Sequence, residues 1–142
     1  MQIQRVHPHF AVAITGLAVS ADMDQADIDR VRQVVGDETM VVIRGQQAMT
    51  DDDQIAFSSR FGTLQKSITL HREDTERRMR RDELTEFATQ PEFVYSHKWQ
   101  EGDLVVWDNR TTMHRATPFP EDRYRRDMRR TSTEDDVVAI AA

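Results

Sequence analysis

The chain has 142 residues, 38% hydrophobic and 31% charged, a balance that suits one globular domain with a single core. It contains no cysteine, which excludes disulfides, thiolate metal sites and a cysteine nucleophile. A net charge of −6 argues against a nucleic-acid partner, no apolar run nears the ~18 residues of a membrane span, and the first residues lack a signal-peptide pattern, which together point to the cytoplasm.

Residues 11–19 read as a short strand, with Val12, Ile14 and Leu17 around Gly16. A helix follows, capped by Ser20 or Asp22, with Ile28, Val31 and Val35 at helical spacing and Gly36 as its stop. Thr39 to Ile43 is a continuous, β-branched apolar run, the pattern of a strand buried on both faces. Thr50 and Asp53 have the spacing of a capping box, so a second helix starts at Thr50, carries Phe57 and Phe61 on one face and ends at Gly62.

Residues 71–84 change character. Five arginines and five acids alternate in an almost wholly polar stretch, which reads as a solvated loop or exposed helix. From Phe93 to Trp99 aromatic and polar residues alternate as in a strand. Gln100–Asp103 is a turn and Leu104–Trp107 the returning strand. Pro118 and Pro120 break the chain, Arg123 to Arg130 forms a last strand candidate, and the tail from Thr131 reads as poorly ordered.

Two histidines stand out. His71 has Glu73 two positions on, a pair that a strand would project to one side as metal ligands, although a solvated face is the simpler reading of so charged a segment. His114 follows a buried strand and precedes a run of arginines. A strand carrying Arg123, Arg125 and Arg129 on one face and Arg126 and Arg130 on the other cannot be an ordinary core strand. At least one face must meet water, acids or an anionic ligand. Arg125 and Arg129 would lie about 13 Å apart along it, a spacing for two separate carboxylates.

Trp107-Asp108-Asn109-Arg110-Thr111-Thr112-Met113-His114-Arg115, followed by Arg123 to Arg130, resembles the C-terminal signature of the TauD/TfdA family of Fe(II)/2-oxoglutarate-dependent dioxygenases. Its 2,4-dichlorophenoxyacetate dioxygenase-like branch is the nearest in flavour. His7-Pro8-His9-Phe10, Val41 to Arg44, Asp53 to Phe57, Thr89 to Tyr95 and Trp99 to Asp103 also resemble that branch. The resemblance implies an α+β chain built on a jelly roll (double-stranded β-helix) with α/β N-terminal elements. It implies hydroxylation of a small acidic organic substrate, aryloxyacetate- or sulfonate-like. By position, it implies His114 as an iron ligand, Arg125 as the arginine that grips 2-oxoglutarate, and Arg129 as the arginine that holds the substrate's acidic group.

Family members carry a His-x-Asp iron motif and are about twice as long; this sequence has no His-x-Asp. The stretch up to Leu84 resembles the region just before that motif, and Thr85 onward a region far after it. Residues 1–142 therefore read as one domain with an internal deletion near 84–85 and an incomplete jelly roll. One histidine cannot hold catalytic iron alone. Two alternatives to an active dioxygenase stay open: an inactive truncated relative, and a small-anion-binding module without redox chemistry. His71 with Glu73 is the route by which a ligand set could be rebuilt. Missing strands would expose sheet edges, so self-association or a homo-oligomer is expected.

Overall fold

The computed structural model describes residues 1–65, 84–123, 125 and 127–134. Among these residues the strands and the two longer α-helices follow in the order β1 (Gln2–Arg5), β2 (Val12–Thr15), α1 (Gln25–Glu38), β3 (Met40–Ile43), α2 (Asp51–Ser59), β4 (Thr63–Leu64), β5 (Leu104–Trp107) and β6 (Thr133–Glu134). The four-stranded sheet runs β1-β2-β3-β5, and β4 pairs with β6 in a second, two-stranded sheet. β2 and β3 are parallel, joined by α1 as the crossover, while β1 and β5 lie antiparallel on either side.

The N-terminal expectations hold in outline. Val41, Val42 and Ile43 of β3 are fully buried, as a continuous apolar run in a central strand must be. Ile28 and Val31 of α1, Phe57 of α2, and Val12 and Ile14 of β2 join Val41 and Ile43 in one core, with Leu104 and Val106 of β5 packed against it. Thr50 and Asp53 complete the predicted capping box in both directions. Phe57 and Phe61 stack with ring centroids 4.9 Å apart.

The ends of α1 differ from expectation. Its N-cap is Asp24, whose carboxylate accepts from the Ala26 N–H, and Gly36 lies inside the helix. The stop is Thr39, in the left-handed region at φ 59°, which turns the chain straight into β3. The Thr39 N–H still bonds the Val35 carbonyl, so the last turn of the helix is satisfied while Thr39 takes up the left-handed conformation.

Three segments correct or extend the β reading. Phe93 to Trp99 is not a strand: Pro91–Phe93 forms a short 3-10 turn, and residues 94–100 run without ladder bonds. The alternation there has another origin, since Phe93, Tyr95 and His97 turn inward to other rings while Val94 and Trp99 stay exposed. The described residues of the 123–130 segment are likewise irregular, and the strand comes later, at β6. Part of the expected poorly ordered tail is therefore sheet. β1 and β4 carried no sequence expectation. β1 is an exposed edge held by four register pairs to β2. The charged segment, with His71 and Glu73, lies outside the described residues up to 83; residues 84–88 are helical.

Candidate functional site

β5 organises the candidate site at both of its ends. Its register sets Ile43 opposite Leu104, so the next residues outward, Arg44 and Asp103, face each other across the ladder. Arg44 donates to Asp103 Oδ2, as do His97 Nε2 at 3.0 Å and the Gln100 N–H at 2.9 Å. The Asp103 side chain is only 1% exposed and that of His97 8%. Because a carboxylate can only accept, His97 carries its proton on Nε2, and Nδ1 accepts from the Tyr95 hydroxyl at 3.1 Å. Asp103 Oδ1 is buried and unpartnered among the described residues, so one oxygen takes all three donors.

Gly102 makes this corner sterically feasible. At φ 76° it occupies the left-handed region, and a Cβ there would meet the Gln47 N at 2.6 Å. Beside it, buried Gln46 ties the loop after β3 to the loop after β2. Its amide donates to the carbonyls of Leu17 and Arg44, and its oxygen accepts from the Val19 N–H.

Burial pushes the His97 pKa below its ordinary 6.5, and the hydrogen bond to Asp103 only partly offsets this. Burial raises the Asp103 carboxyl, but the bonds from Arg44, the Gln100 N–H and His97 outweigh it, and the net shift is downward. His7 is also lowered, by partial burial and then by neighbouring His9. The unfolded chain therefore binds more protons than the folded one as pH falls below about 6.5. The stability from a neutral His97 is full above that pH and is lost as pH falls through the lowered folded value. We expect the urea midpoint to fall between pH 8 and pH 5.5, with a shallower fall in His97→Asn. Equal slopes in the two proteins would remove His97 from the account.

At its other end β5 delivers Trp107 and then reverses. The Asp108 N–H reaches the Thr39 carbonyl at 2.9 Å, closing the ladder. The Asp108 carboxylate takes the Arg110 N–H and a two-pronged contact from the Arg110 guanidinium, and the hydrogen bond from Arg110 holds its pKa below the usual carboxylate value. The Thr112 hydroxyl donates back to the Asp108 carbonyl at 2.7 Å. The Trp107 indole N–H is fixed on Asn109 Oδ1 at 2.9 Å. This turn returns the chain so that the His114 ring lies on Trp107, with centroids 4.9 Å apart.

Of the sequence-derived site residues, His114 is exposed, apart from its Trp107 contact. Arg125 is exposed and makes no ion pair among the described residues. Arg129 is paired with Asp51 on the first turn of α2, with Asp127 at 3.9 Å. The arginine beside Trp107 is Arg130, whose guanidinium carbon lies 5.7 Å from the ring centroid. Among the described residues no three His, Cys, Asp or Glu side chains converge as a metal site. A shallow groove of about 560 Å³ lies elsewhere, between Arg32, Ser59, Arg60 and the start of β4, and takes in none of these groups.

The sequence placed His97 only within an alternating run and did not connect Arg44, His97 and Asp103. The signal was available in part. Arg44 closes one apolar run and Asp103 precedes another, and antiparallel pairing of those runs would oppose them.

The family described as "Taurine catabolism dioxygenase TauD, TfdA family" matches residues 70–132. Over this stretch, 63 of its 142 residues, the chain is similar to that family. It is 52% identical over 63 residues to the alpha-ketoglutarate-dependent 2,4-dichlorophenoxyacetate dioxygenase of Cupriavidus pinatubonensis, covering 44% of this chain and 22% of that one. It is 51% identical over 37 residues to the (S)-phenoxypropionate/alpha-ketoglutarate-dioxygenase of Sphingobium herbicidovorans, covering 26% and 13%. The matched stretches are thus well under a third of those relatives' length.

Among solved structures, AAD-2 in complex with Mn(II) and N-oxalylglycine superposes at a TM-score of 0.80 with 19% identity, covering 96% of this chain and 98% of that one. A putative alpha-ketoglutarate-dependent 2,4-D dioxygenase from Burkholderia xenovorans gives 0.77 with 21% identity, covering 93% and 96%. By fold the likeness to these two structures spans nearly the whole chain. The likeness supports the expected α+β, jelly-roll fold class.

Proposed function

We propose that this chain serves the chemistry of a non-haem Fe(II)/2-oxoglutarate-dependent dioxygenase acting on a small acidic organic substrate of the aryloxyacetate or sulfonate type. The observation that carries the reading is the family match over residues 70–132, which contains His114, Arg125 and Arg129. Relatives named for dichlorophenoxyacetate and phenoxypropionate support an acidic aryl compound. In this reading His114 is the iron ligand, Arg125 forks the distal carboxylate of 2-oxoglutarate and Arg129 holds the substrate's acidic group; turnover would require His71 with Glu73, outside the described residues, to complete the ligand set. The domain is one unit interrupted by a deletion near 84–85, located in the cytoplasm, with no nucleic-acid or membrane partner.

A second reading is a small-anion-binding module, a catalytically inactive relative. It is favoured by one observation, that the described residues bring no three metal-ligating side chains together. Anaerobic Fe(II) with 2-oxoglutarate, followed by oxygen and a succinate assay, separates the two. A visible charge-transfer band and succinate that vanish in both His71→Ala and His114→Ala establish the enzyme. Calorimetric binding of 2-oxoglutarate without band or succinate establishes the module. No binding at all defeats both.

Arg125→Ala should abolish that 2-oxoglutarate binding, and Arg125→Lys should weaken it about tenfold, because an ammonium keeps the charge but loses the planar fork. Equal affinity in wild type and Arg125→Ala, by titration calorimetry, would end the assignment.

Self-association is proposed on a separate ground. Among the described residues β5 pairs with β3 on one side only, and its sequence Leu-Val-Val-Trp carries no charge or proline to block another strand. Sedimentation should show dimers or larger species that shift towards monomer in Val105→Lys. A sharp wild-type monomer would count directly against an open edge.

A further inference from the structure

The groove of about 560 Å³ between α1, the end of α2 and the start of β4 is lined by two arginines from different elements. Arg32 comes from α1, and Arg60 is the C-cap of α2. Neutral groups hold both. Arg32 donates to the Arg60 carbonyl, and its guanidinium carbon lies 5.5 Å from the Phe61 ring centroid. Arg60 donates to Gln25 Oε1. Gln25 in turn gives its amide N–H to Asp29 at 2.7 Å, so that acid is bound by an amide and not by either arginine.

Neither arginine makes an ion pair among the described residues, whereas Arg5, Arg44, Arg110 and Arg129 each meet a carboxylate. Two exposed cations thus share one groove without a counter-charge. The C-terminus of a helix ordinarily repels an anion. Here the last carbonyls of α2 already have donors. The Arg60 N–H bonds the Phe57 carbonyl, the Phe61 N–H that of Ser58, and the Ser59 hydroxyl that of Ile55. Arg32 covers the Arg60 carbonyl. Each guanidinium has five N–H donors and spends only part of them on these contacts.

The charge sets the ligand class. A carboxylate offsets one of the two cations, and a dianion offsets both. A phosphate monoester carries about −1.5 to −2 near pH 7 and has three terminal oxygens, enough for two planar forks. Thr63, whose hydroxyl has no partner among the described residues, lines the same groove and adds a donor. Leu64 beside it offers apolar contact to the organic part of an ester.

We propose that Arg32 and Arg60 form an anion site that takes the phosphate of a small phosphomonoester. The site lies apart from His114 and Arg125 and goes beyond the function proposed above. It requires neither iron nor 2-oxoglutarate, so it stands or falls independently of that reading.

The test is calorimetric titration of the full chain, free of metal, with phenyl phosphate. Wild type should bind saturably. Arg32→Gln and Arg60→Gln should each weaken binding about tenfold, the scale of one charge-assisted hydrogen bond. Arg32→Lys should weaken it less, and Arg30→Gln, elsewhere on exposed α1, should stay within twofold of wild type. Inorganic phosphate should depend on the same two arginines and bind more weakly, for want of the contact with Leu64. Urea unfolding of the same variants separates a purely structural role. Such a role would lower the midpoint and leave the affinity of the folded protein unchanged, and that result would overturn the proposal. So would an absence of saturable binding in wild type, or binding lost in Arg125→Ala and retained in Arg32→Gln. Equal affinity for inorganic phosphate and phenyl phosphate would overturn the assignment of an ester as the ligand.

Discussion

Asp103→Ala should lower the unfolding free energy by about 3 kcal/mol, the scale for removing one partner of a buried ion pair. The substitution deletes the acceptor of three donors at once, leaving Arg44, His97 and the Gln100 N–H without their carboxylate. Arg44 is partly exposed and can recruit water, which keeps the loss at the lower end of the range. His97 cannot do so readily, with a side chain 8% exposed. Asp103→Asn should cost less than Ala but remain destabilising, since the amide keeps one acceptor and places N–H donors where Oδ1 now has no partner. Urea unfolding at pH 7.5 measures both. A loss below about 0.5 kcal/mol in Asp103→Ala would mean that the network contributes no more than a surface pair.

The effect should reach the other end of β5. The Arg44–Asp103 pair fixes where β5 begins, and the Asp108 bond to the Thr39 carbonyl fixes where it ends. Loosening the first leaves the second to hold the strand's register alone. Trp107 fluorescence, read in Trp99→Phe, should shift in Asp103→Ala under conditions where the chain remains folded.

Ile43→Ala should be comparably severe, at about 3 kcal/mol, by lost transfer energy and a cavity that the surroundings fill only in part. Ile43 is fully buried, pairs with Ile14 on the β2 side in register and sits opposite Leu104 of β5. It thus lies where α1, β2 and β5 converge on the central strand. Ile55→Ala on the exposed side of α2 is the control, and should change stability by less than about 0.5 kcal/mol. A loss in Ile43→Ala no larger than the control would mean that the sheet's centre is not the core.

Much of the architecture is legible in the sequence because it rests on local or strongly patterned signals. Thr50 and Asp53 are three residues apart and satisfy each other's backbone, so that helix start needs nothing from the rest of the chain. Thr39 to Ile43 is apolar at every position but the first, and only a central strand buries such a run on both faces. The turn at Gln100–Asp103 was readable from Gly102. The family resemblance was readable for a different reason: Trp107 to His114 is a turn in which Asp108, Asn109, Arg110 and Thr112 each close a specific hydrogen bond, so the residue types are tightly constrained.

What the sequence alone misread, the tertiary structure decided. Alternation from Phe93 to Trp99 has the period of a strand, but period 2 states only which side chains turn inward, and these turn to rings instead of pairing a backbone. α1 ends at Thr39 because the parallel crossover to β3 demands an abrupt turn there, and the spacing of apolar residues carries no information about that. The contacts of the C-terminal arginines are set in the same way. Sequence spacing counts residues from His114 and cannot say to which side consecutive arginines leave an irregular segment. That choice is made by what lies across the fold, Asp51 on α2 for Arg129 and the Trp107 ring on β5 for Arg130. Sequence supplies the charges, and long-range packing chooses which group each of them meets.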